Sequence, residues 1–514
     1  MLWILALPLA VLGGWFAATR VTARPVLRIL AGVGWALAPT FLTALVEGRP
    51  AAVVAHLLLP WLFFAGSVAH RSWSAAGAAS VLLVAVLACA PSLAAPLVVL
   101  WLLVALLTIA LRAARGIGHV VWVMVPSVVV AAPLVWAQLQ ARNPWGLLAD
   151  PGVVWAGPVA AADPVGRLTL AVGFPGPDLA GWEALLTDAG LSGWWAALLL
   201  APLGVAALLS LLTRRWFVGV ALLVVAALGV GTAFAVVGVA VSAAQDATMV
   251  AVWPGAALSL AWIGVLGAAV VAVDAGLLPR HRAARATAAI VVMAALAVLA
   301  LPSLTASARG TLGVTNGPAS TMPAYVAAQG RDDPDVGTIV LTPLSSGGLS
   351  ARVVWGDTET LGGQSTVADT RTQPTEADVE TAELAVGLVT SAAPDVVARL
   401  AGHGIGFVVL SPEVAGESDA ARSLRLTART ALDQRAALDV VGETARGALW
   451  RVSGETVAER AQPTASERST AVLVAAVQLA VIAIALLLSV PTAASRREAR
   501  RTPRIVGPRP QEEE

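Results

Sequence analysis

Apolar residues recur along this chain in blocks long enough to cross a bilayer. A hydrocarbon core needs roughly 20 mostly apolar residues per helix. Eleven segments fit that requirement: 2–18, 26–45, 52–68, 74–91, 94–111, 118–137, 193–212, 216–241, 252–277, 286–304 and 469–491. The two joined by "APSLAAP", 74–91 and 94–111, also fit a helical hairpin. Pro39, Pro60, Pro126 and Pro133 fall inside segments, where neighbouring helices are expected to satisfy the freed carbonyls.

The pattern breaks twice. Residues 138–192 carry "RNPWGLLADPG" and "VGFPGPD", with Leu179, Trp182, Leu185 and Leu186 at helical spacing. This stretch is expected to lie along the interface or to cap a cavity. Residues 305–468 have ordinary polarity and hold most of the Asp and Glu. Within them "GTIVLTPL", "ARVVWGD", "IGFVVLSP", "LDVVGET" and "GALWRV" read as strands. "EADVETAELAVGLVTS", "APDVVARLAGHG" and "SDAARSLRLTARTALDQRA" read as helices. Helix, Gly turn and apolar strand in that order indicate α/β layering. The expected architecture is an α-helical polytopic membrane protein of about 11 transmembrane helices. A C-terminal extracytoplasmic α/β domain is inserted before the last of them. The domains are then 1–304 (membrane, with the long outer loop 138–192), 305–468 (α/β), 469–491 (final span) and 492–514 (basic cytoplasmic tail).

Composition agrees with that class and adds a direction. The chain is 58% hydrophobic and 13% charged over 514 residues, with mean hydropathy +0.79, values typical of membrane proteins. There is no Lys, and abundant Ala, Val, Leu and Gly fit a GC-rich, actinobacterial coding sequence. Arg20, Arg24, Arg28, Arg71, Arg112, Arg115, Arg214, Arg215, Arg280, Arg282 and Arg285, with six arginines of the tail, fall in loops on one side. The other side of the membrane region holds only Arg49, Arg142 and Arg167. Cytoplasmic loops retain positive charge, so the N-terminus is expected outside, the C-terminus inside, and the protein in the plasma membrane. Met1 leads straight into an apolar run with no signal-peptide pattern. A first span entered from outside implies that further membrane sequence lies upstream or is encoded separately. The single Cys89 excludes a disulfide framework and a Cys-based metal site.

Acids are as lopsided as the arginines: Glu47, Asp150, Asp163, Asp178, Glu183, Asp188 and Asp246 fall on the outer side, and Asp274 does not. Ordinary loop polarity accounts for any one of them, whereas together they can supply a general base in an outward cavity. "VEGRPAA", Val46–Ala52, is the tightest constellation. Arg49 at a membrane surface suits phosphate, because its planar fork makes paired charge-assisted bonds. Glu47 beside it can orient the guanidinium or accept a proton, or form a surface pair of little consequence. Glu47 and Asp150 are therefore the catalytic candidates. Arg49, His56, Asn143, Trp145 and Asp246 are the substrate-binding candidates. His56, on an apolar helix, equally fits a packed core histidine, and "NPW" and "DPG" equally fit turns. No metal ligands and no cofactor are expected, and a divalent cation is left open. There is no P-loop, dinucleotide fingerprint, HExxH or GxSxG, and no nucleic-acid partner is expected.

"RILAGVGWALAPTFLTALVEGRPAAVVAHLLLPWLFFAG", "ACAPSLAAPL", "NPWGLLADPG", "LAGHGIGFVVLSP" and "GALWRV" together resemble the membrane module of actinobacterial proteins fused to a family 2 glycosyltransferase. The arrangement of span, AxxP, outer loop and LLPW is also similar to polytopic GT-C glycosyltransferases, which take a sugar from a polyprenyl-phosphate donor outside the membrane. The family 2 catalytic domain itself is not in this sequence. The resemblance implies a hexosyl- or pentosyltransferase, or its membrane half, in assembly of cell-envelope polysaccharide or glycolipid. Its partners would be membrane lipids, a polyprenyl-phosphate-linked sugar, a glycan acceptor and a separate family 2 transferase subunit. The alternative is a non-catalytic scaffold or a lipid-linked glycan translocation partner of a separate transferase.

Overall fold

The computed structural model describes residues 2–111, 114–244, 248–275, 282–314, 321–357, 365–390, 393–414 and 416–492. The chain divides into two compact units, one formed by 1–241, 250–315 and 473–514, the other by 242–249 and 316–472.

The first unit is helical. Its elements are α1 (Leu2–Ala18), α2 (Pro25–Ala36), α3 (Pro39–Glu47), α4 (Pro50–Gly66), α5 (Trp73–Cys89), α6 (Ala94–Ala110) and α7 (Ala114–Gln140). Then come the short α8 (Pro164–Val172), α9 (Trp182–Asp188) and α10 (Ala201–Leu209). The long α11 (Trp216–Val236) and α12 (Gly255–Ala275) follow, and then α13 (Arg282–Leu299) and α14 (Leu301–Arg309). A small hairpin, β1 (Ala240–Ala243) and β2 (Met249–Ala251), joins α11 to α12. Among the described residues seven helices are long and apolar enough to cross a membrane. The number is nine if the bent pairs α2–α3 and α13–α14 each count as one span. That is fewer than the eleven expected: α1 and α5 are apolar but only 17 residues long. The segment expected to run from 216 to 241 ends as helix at Val236, where Val237 turns extended and the hairpin begins.

Packing centres on α12, which is 78% buried over its most apolar window, against 6% for the last helix. Close approach to α11 depends on glycine. A Cβ on Gly229 or Gly264 would sit against the backbone of the facing helix, around Ala261 and Leu222 respectively. Apolar lipid offers no hydrophobic incentive for helices to associate, so such close small-residue contacts carry the packing.

Proline breaks recur, and at two of them a side chain from elsewhere in the unit donates to a backbone carbonyl close by. Pro39 separates α2 from α3 at a 41° bend, and α13–α14 bends by 44° just before Pro302. Trp182 Nε1 donates to Leu299 O at 2.9 Å beside the second bend. In α7, Gln478 Nε2 donates to Val130 O at 3.0 Å, one turn before Pro133. Proline removes a helical donor, and inside an apolar bundle the freed acceptors need replacements.

The loops at one end of the bundle converge on Asp274, near the C-terminus of α12. Arg24 Nε lies 3.3 Å and Arg215 Nη1 3.1 Å from its carboxylate oxygens, and Arg215 Nη1 also donates to Val21 O at 2.7 Å. Arg20 reaches Phe64 O at 3.2 Å. One buried acid thus ties the α1–α2 and α10–α11 connections together.

The second unit carries a five-stranded sheet: β3 (Gly337–Pro343), β4 (Leu349–Trp355), β5 (Ile405–Leu410), β6 (Leu438–Thr444) and β7 (Gly447–Val452). The spatial order is β4-β3-β5-β7-β6, with β3 and β5 parallel and the other pairs antiparallel. Central β5 is buried at every position. Val408 and Leu410 join one core and Phe407 and Val409 the other, the period-two alternation of a strand covered on both faces. On one face lie α17 (Glu376–Val389), α18 (Val396–Gly402) and α19 (Asp419–Asp433). On the other lies α15 (Ala324–Asp332), while α16 (Thr366–Asp369) is a single turn. Trp450, 1% exposed, donates its indole N–H to Asp433 at 3.0 Å. Arg435 reaches Leu388 O at the C-terminal end of α17 at 3.1 Å and Ala393 O, ahead of α18, at 3.0 Å. The last helix, α20 (Ala465–Ser489), follows.

Candidate functional site at the Glu47 end of the bundle

The sequence Val46-Glu-Gly-Arg-Pro50 makes a turn between two helices with almost no spare residues. Gly48 ends α3 at φ +77, the left-handed conformation that glycine adopts without strain, and Pro50 opens α4 at its first position. Arg49, as the residue between them, has its backbone N–H on Ala44 O at 2.9 Å. The turn is covered by 311–314. Gly313 N–H donates to Val46 O at 2.6 Å, and a Cβ on Gly48 would strike Val314.

This turn aims Glu47 and Arg49 at each other. Arg49 Nε donates to Glu47 Oε2 at 2.6 Å, with the two side chains only 10% and 13% exposed. The guanidinium carbon lies 5.1 Å from the Trp253 ring centroid, within cation–π range. Trp253 is itself 2% exposed and stands just before α12. Its backbone N–H donates to Asp150 Oδ2 at 3.1 Å. Asp150, a hundred residues along the chain, is therefore brought to the Glu47–Arg49 turn through one buried tryptophan.

Electrostatics distinguishes Asp150. Burial pushes its carboxyl up to about 6, against the opposing pulls of the Trp253 N–H and the Arg49 charge. Loss of hydration disfavours the charged form, so this acid keeps its proton to higher pH than an ordinary aspartate. Asp178 is also raised, by burial first and by Glu183 second, while the Gly181 backbone N–H lowers it.

Two donors here are buried and find no hydrogen-bond acceptor among the described residues: Arg49 Nη2 and Trp253 Nε1. Gly157 lies close to Arg49, since a Cβ there would stand 2.8 Å from Nη2 and collide with Trp155 Nε1. Buried donors are normally paired. An unpaired guanidinium N–H close to a tryptophan ring has the chemistry to take an acceptor, an anionic oxygen best of all.

The remaining sequence candidates are placed differently. His56 lies two turns into α4, 1% exposed, with Nδ1 2.9 Å from Ser259 Oγ and Nε2 3.2 Å from Trp35 O. Both ring nitrogens are thus engaged by the protein core. Asn143 opens a 3-10 turn, Pro144–Leu148, whose end presents Asp150, and Trp145 on that turn is 61% exposed. Asp246 lies outside the described residues. Asp163 caps α8, accepting from Gly166 N–H at 2.7 Å.

The expected single helical face through Leu179, Trp182, Leu185 and Leu186 is corrected. Leu179, Ala180 and Gly181 have φ of +50, +59 and +91, so the chain turns left-handed before α9 begins. Leu179 is buried while Leu185 is 53% exposed. Ala180 O accepts from Ser303 Oγ at 3.1 Å, which helps hold the strained turn. Consecutive left-handed non-glycine residues cost energy and concentrate near functional sites, and this turn adjoins Asp178. Trp253, Trp155 and Gly157 escaped the sequence reading because nothing in "VWPG" or "VWAG" separates a site tryptophan from an interfacial one.

Among the described residues no group of three or more His, Cys, Asp or Glu is placed to hold a metal ion. No protein-family model, curated protein or solved structure matches the chain.

Proposed function

We propose that this chain is a membrane glycosyltransferase, or the membrane half of one, acting on a polyprenyl-phosphate-linked sugar at the outer face in cell-envelope glycan assembly. The observation that carries this reading is the Glu47 end of the helical unit. Arg49 Nη2 and Trp253 Nε1 are buried without a partner among the described residues, and the backbone N–H of the same Trp253 holds Asp150, whose carboxyl is pushed up to about 6. A lipid phosphate supplies the oxygens those donors lack. Asp150 or Glu47 would take the proton of the acceptor hydroxyl as the glycosidic bond forms at the sugar carbon and the phosphate leaves with its electron pair. A carboxylate with a pKa near the working pH suits that step, since it is both ionised and basic enough to accept the proton. The arginine bias supports the outer location, because the Asp274 end holds the arginine-rich loops and the Glu47 end does not. The segment resemblances to family 2-fused and GT-C proteins point the same way.

The test is transfer of radiolabelled sugar from polyprenyl phosphate in membranes containing the full chain, with Asp150→Asn alongside. Transfer that requires the chain and is lost in the variant supports the enzyme. Phosphate-lipid binding without transfer, unaltered by added acceptor, would leave a scaffold or translocation partner as the function.

A further inference from the structure

The bend between α2 and α3 leaves two carbonyls without their helical donors. Pro39 has no N–H, so the Trp35 carbonyl loses its usual partner four residues on. Ala38 N–H turns to Trp35 O at 3.3 Å, which strips Gly34 O in turn. Both residues are buried in the apolar core, where an unmet carbonyl is costly.

Side chains from two other helices answer them. Trp262 Nε1, on α12, donates to Gly34 O at 3.1 Å. His56 Nε2, on α4, lies 3.2 Å from Trp35 O. A carbonyl can only accept, so Nε2 carries the imidazole proton and Nδ1 is the acceptor. Ser259 Oγ, 2.9 Å from Nδ1, then donates to it, and accepts in turn from the Thr40 hydroxyl at 3.2 Å. The chain of bonds runs one way, from Thr40 through Ser259 and His56 to Trp35 O. The imidazole also stacks between Trp35 at 3.9 Å and Phe41 at 4.5 Å, each inclined by 16°. Those rings stand on opposite sides of the break.

We infer that His56, Ser259 and Trp262 are positioning residues that hold this bend and so determine where α3 delivers Glu47 and Arg49. This rests on the lipid-phosphate reading of the Glu47 end. Nine residues of helix span about 13 Å, so a 10° change in the bend carries Glu47 by about 2 Å. Displacements of that size are enough to dismantle a site.

The experiment uses the full chain in lipid nanodiscs, in a Cys89→Ala background. Spin labels at Val26 and Val46, one on each limb of the bend, report its angle by electron–electron distance. Farnesyl phosphate, titrated separately into unlabelled protein, reports the site. His56→Phe keeps the stacked ring and removes both hydrogen bonds, and Trp262→Phe removes the second donor. Each should shift or broaden the distance distribution by about 2 Å and weaken farnesyl phosphate binding by about tenfold. His56→Gln, which restores a donor and an acceptor without the ring, should bring both readouts back toward the parent values. Unchanged distances in folded His56→Phe and Trp262→Phe overturn the inference, as does a shifted distance with unchanged affinity. If His56→Phe does not insert, Trp262→Phe and Ser259→Ala decide it by the same readouts. Parent protein that fails to bind farnesyl phosphate, with distances that still move in the variants, sinks the lipid-phosphate reading and leaves the staple intact.

Discussion

Arg49 shows how a single side chain can be both satisfied and available. Its Nε is committed to Glu47 at 2.6 Å, whereas Nη2 is buried without an acceptor among the described residues. A lysine ammonium lacks the planar, spread fork of the guanidinium, so Arg49→Lys should weaken polyprenyl-phosphate binding by about tenfold while charge is conserved. Titration of the purified protein checks this, and undiminished affinity would reduce the turn to a structural ion pair. Glu47→Gln nearly preserves shape and removes a proton acceptor. If Glu47 is the base, turnover should fall by roughly 100-fold at equal protein abundance. Asp150 makes a separate prediction through pH. Its folded value is near 6, against about 4 for an unfolded aspartate. The folded state therefore holds the proton more tightly. Asp150's contribution to stability is fully present below about pH 4 and is lost as pH rises through about 6. Melting temperature of the parent should fall between those values relative to Asp150→Asn, whose amide does not titrate. Parallel melting curves for the two proteins would place this carboxyl in ordinary solvent.

Elements in this protein are shaped by where helices are interrupted as much as by where they run. The prolines were visible in sequence, and so was the expectation that other helices would supply replacement partners. Which partners they are at the Pro39 bend, Trp262 and His56, was not visible, because each lies far along the chain from the carbonyl it meets. The α11–α12 contact obeys the same logic at a different scale. Gly264 permits the α12 backbone to approach Leu222 and Ala226, so Gly264→Val must push the helices apart. We expect that substitution to cost about 1–3 kcal/mol, read as a lower melting temperature in detergent, while Gly231→Ala, with open space at its Cβ, should be nearly silent. Equal effects at the two positions would show that close helix approach does not carry this packing. The strands of the second unit were legible from alternation and flanking turns. The left-handed turn at Leu179–Gly181 was not, since Leu and Ala give no signal for positive φ, and contacts with Ser303 and Pro302, distant in sequence, help hold them there.

At the scale of the whole molecule, two expectations follow. The arginine bias predicts that reporters fused after Ala306 and at Glu514 lie on opposite sides of the membrane, and finding both on one side would remove the outer location on which the proposed chemistry depends. Residues 316–472 have their own two-faced sheet core, so that segment expressed alone should show a cooperative unfolding transition of modest stability, checked by chemical denaturation. Sequence by itself determined the apolar, membrane-type character of most helices, the presence of strands and helices together in the later region and the constellation at Val46–Ala52. These are properties of local composition and period, which a chain carries wherever it is read. Tertiary structure decided what local pattern cannot encode. It brought Asp150 to the Arg49 turn through the Trp253 backbone, left Arg49 Nη2 and Trp253 Nε1 without acceptors among the described residues, and drew His56 into the core to mend a helix break. Each of these depends on which distant backbone groups lose their partners when the helices pack, and that is settled only once the whole bundle has formed.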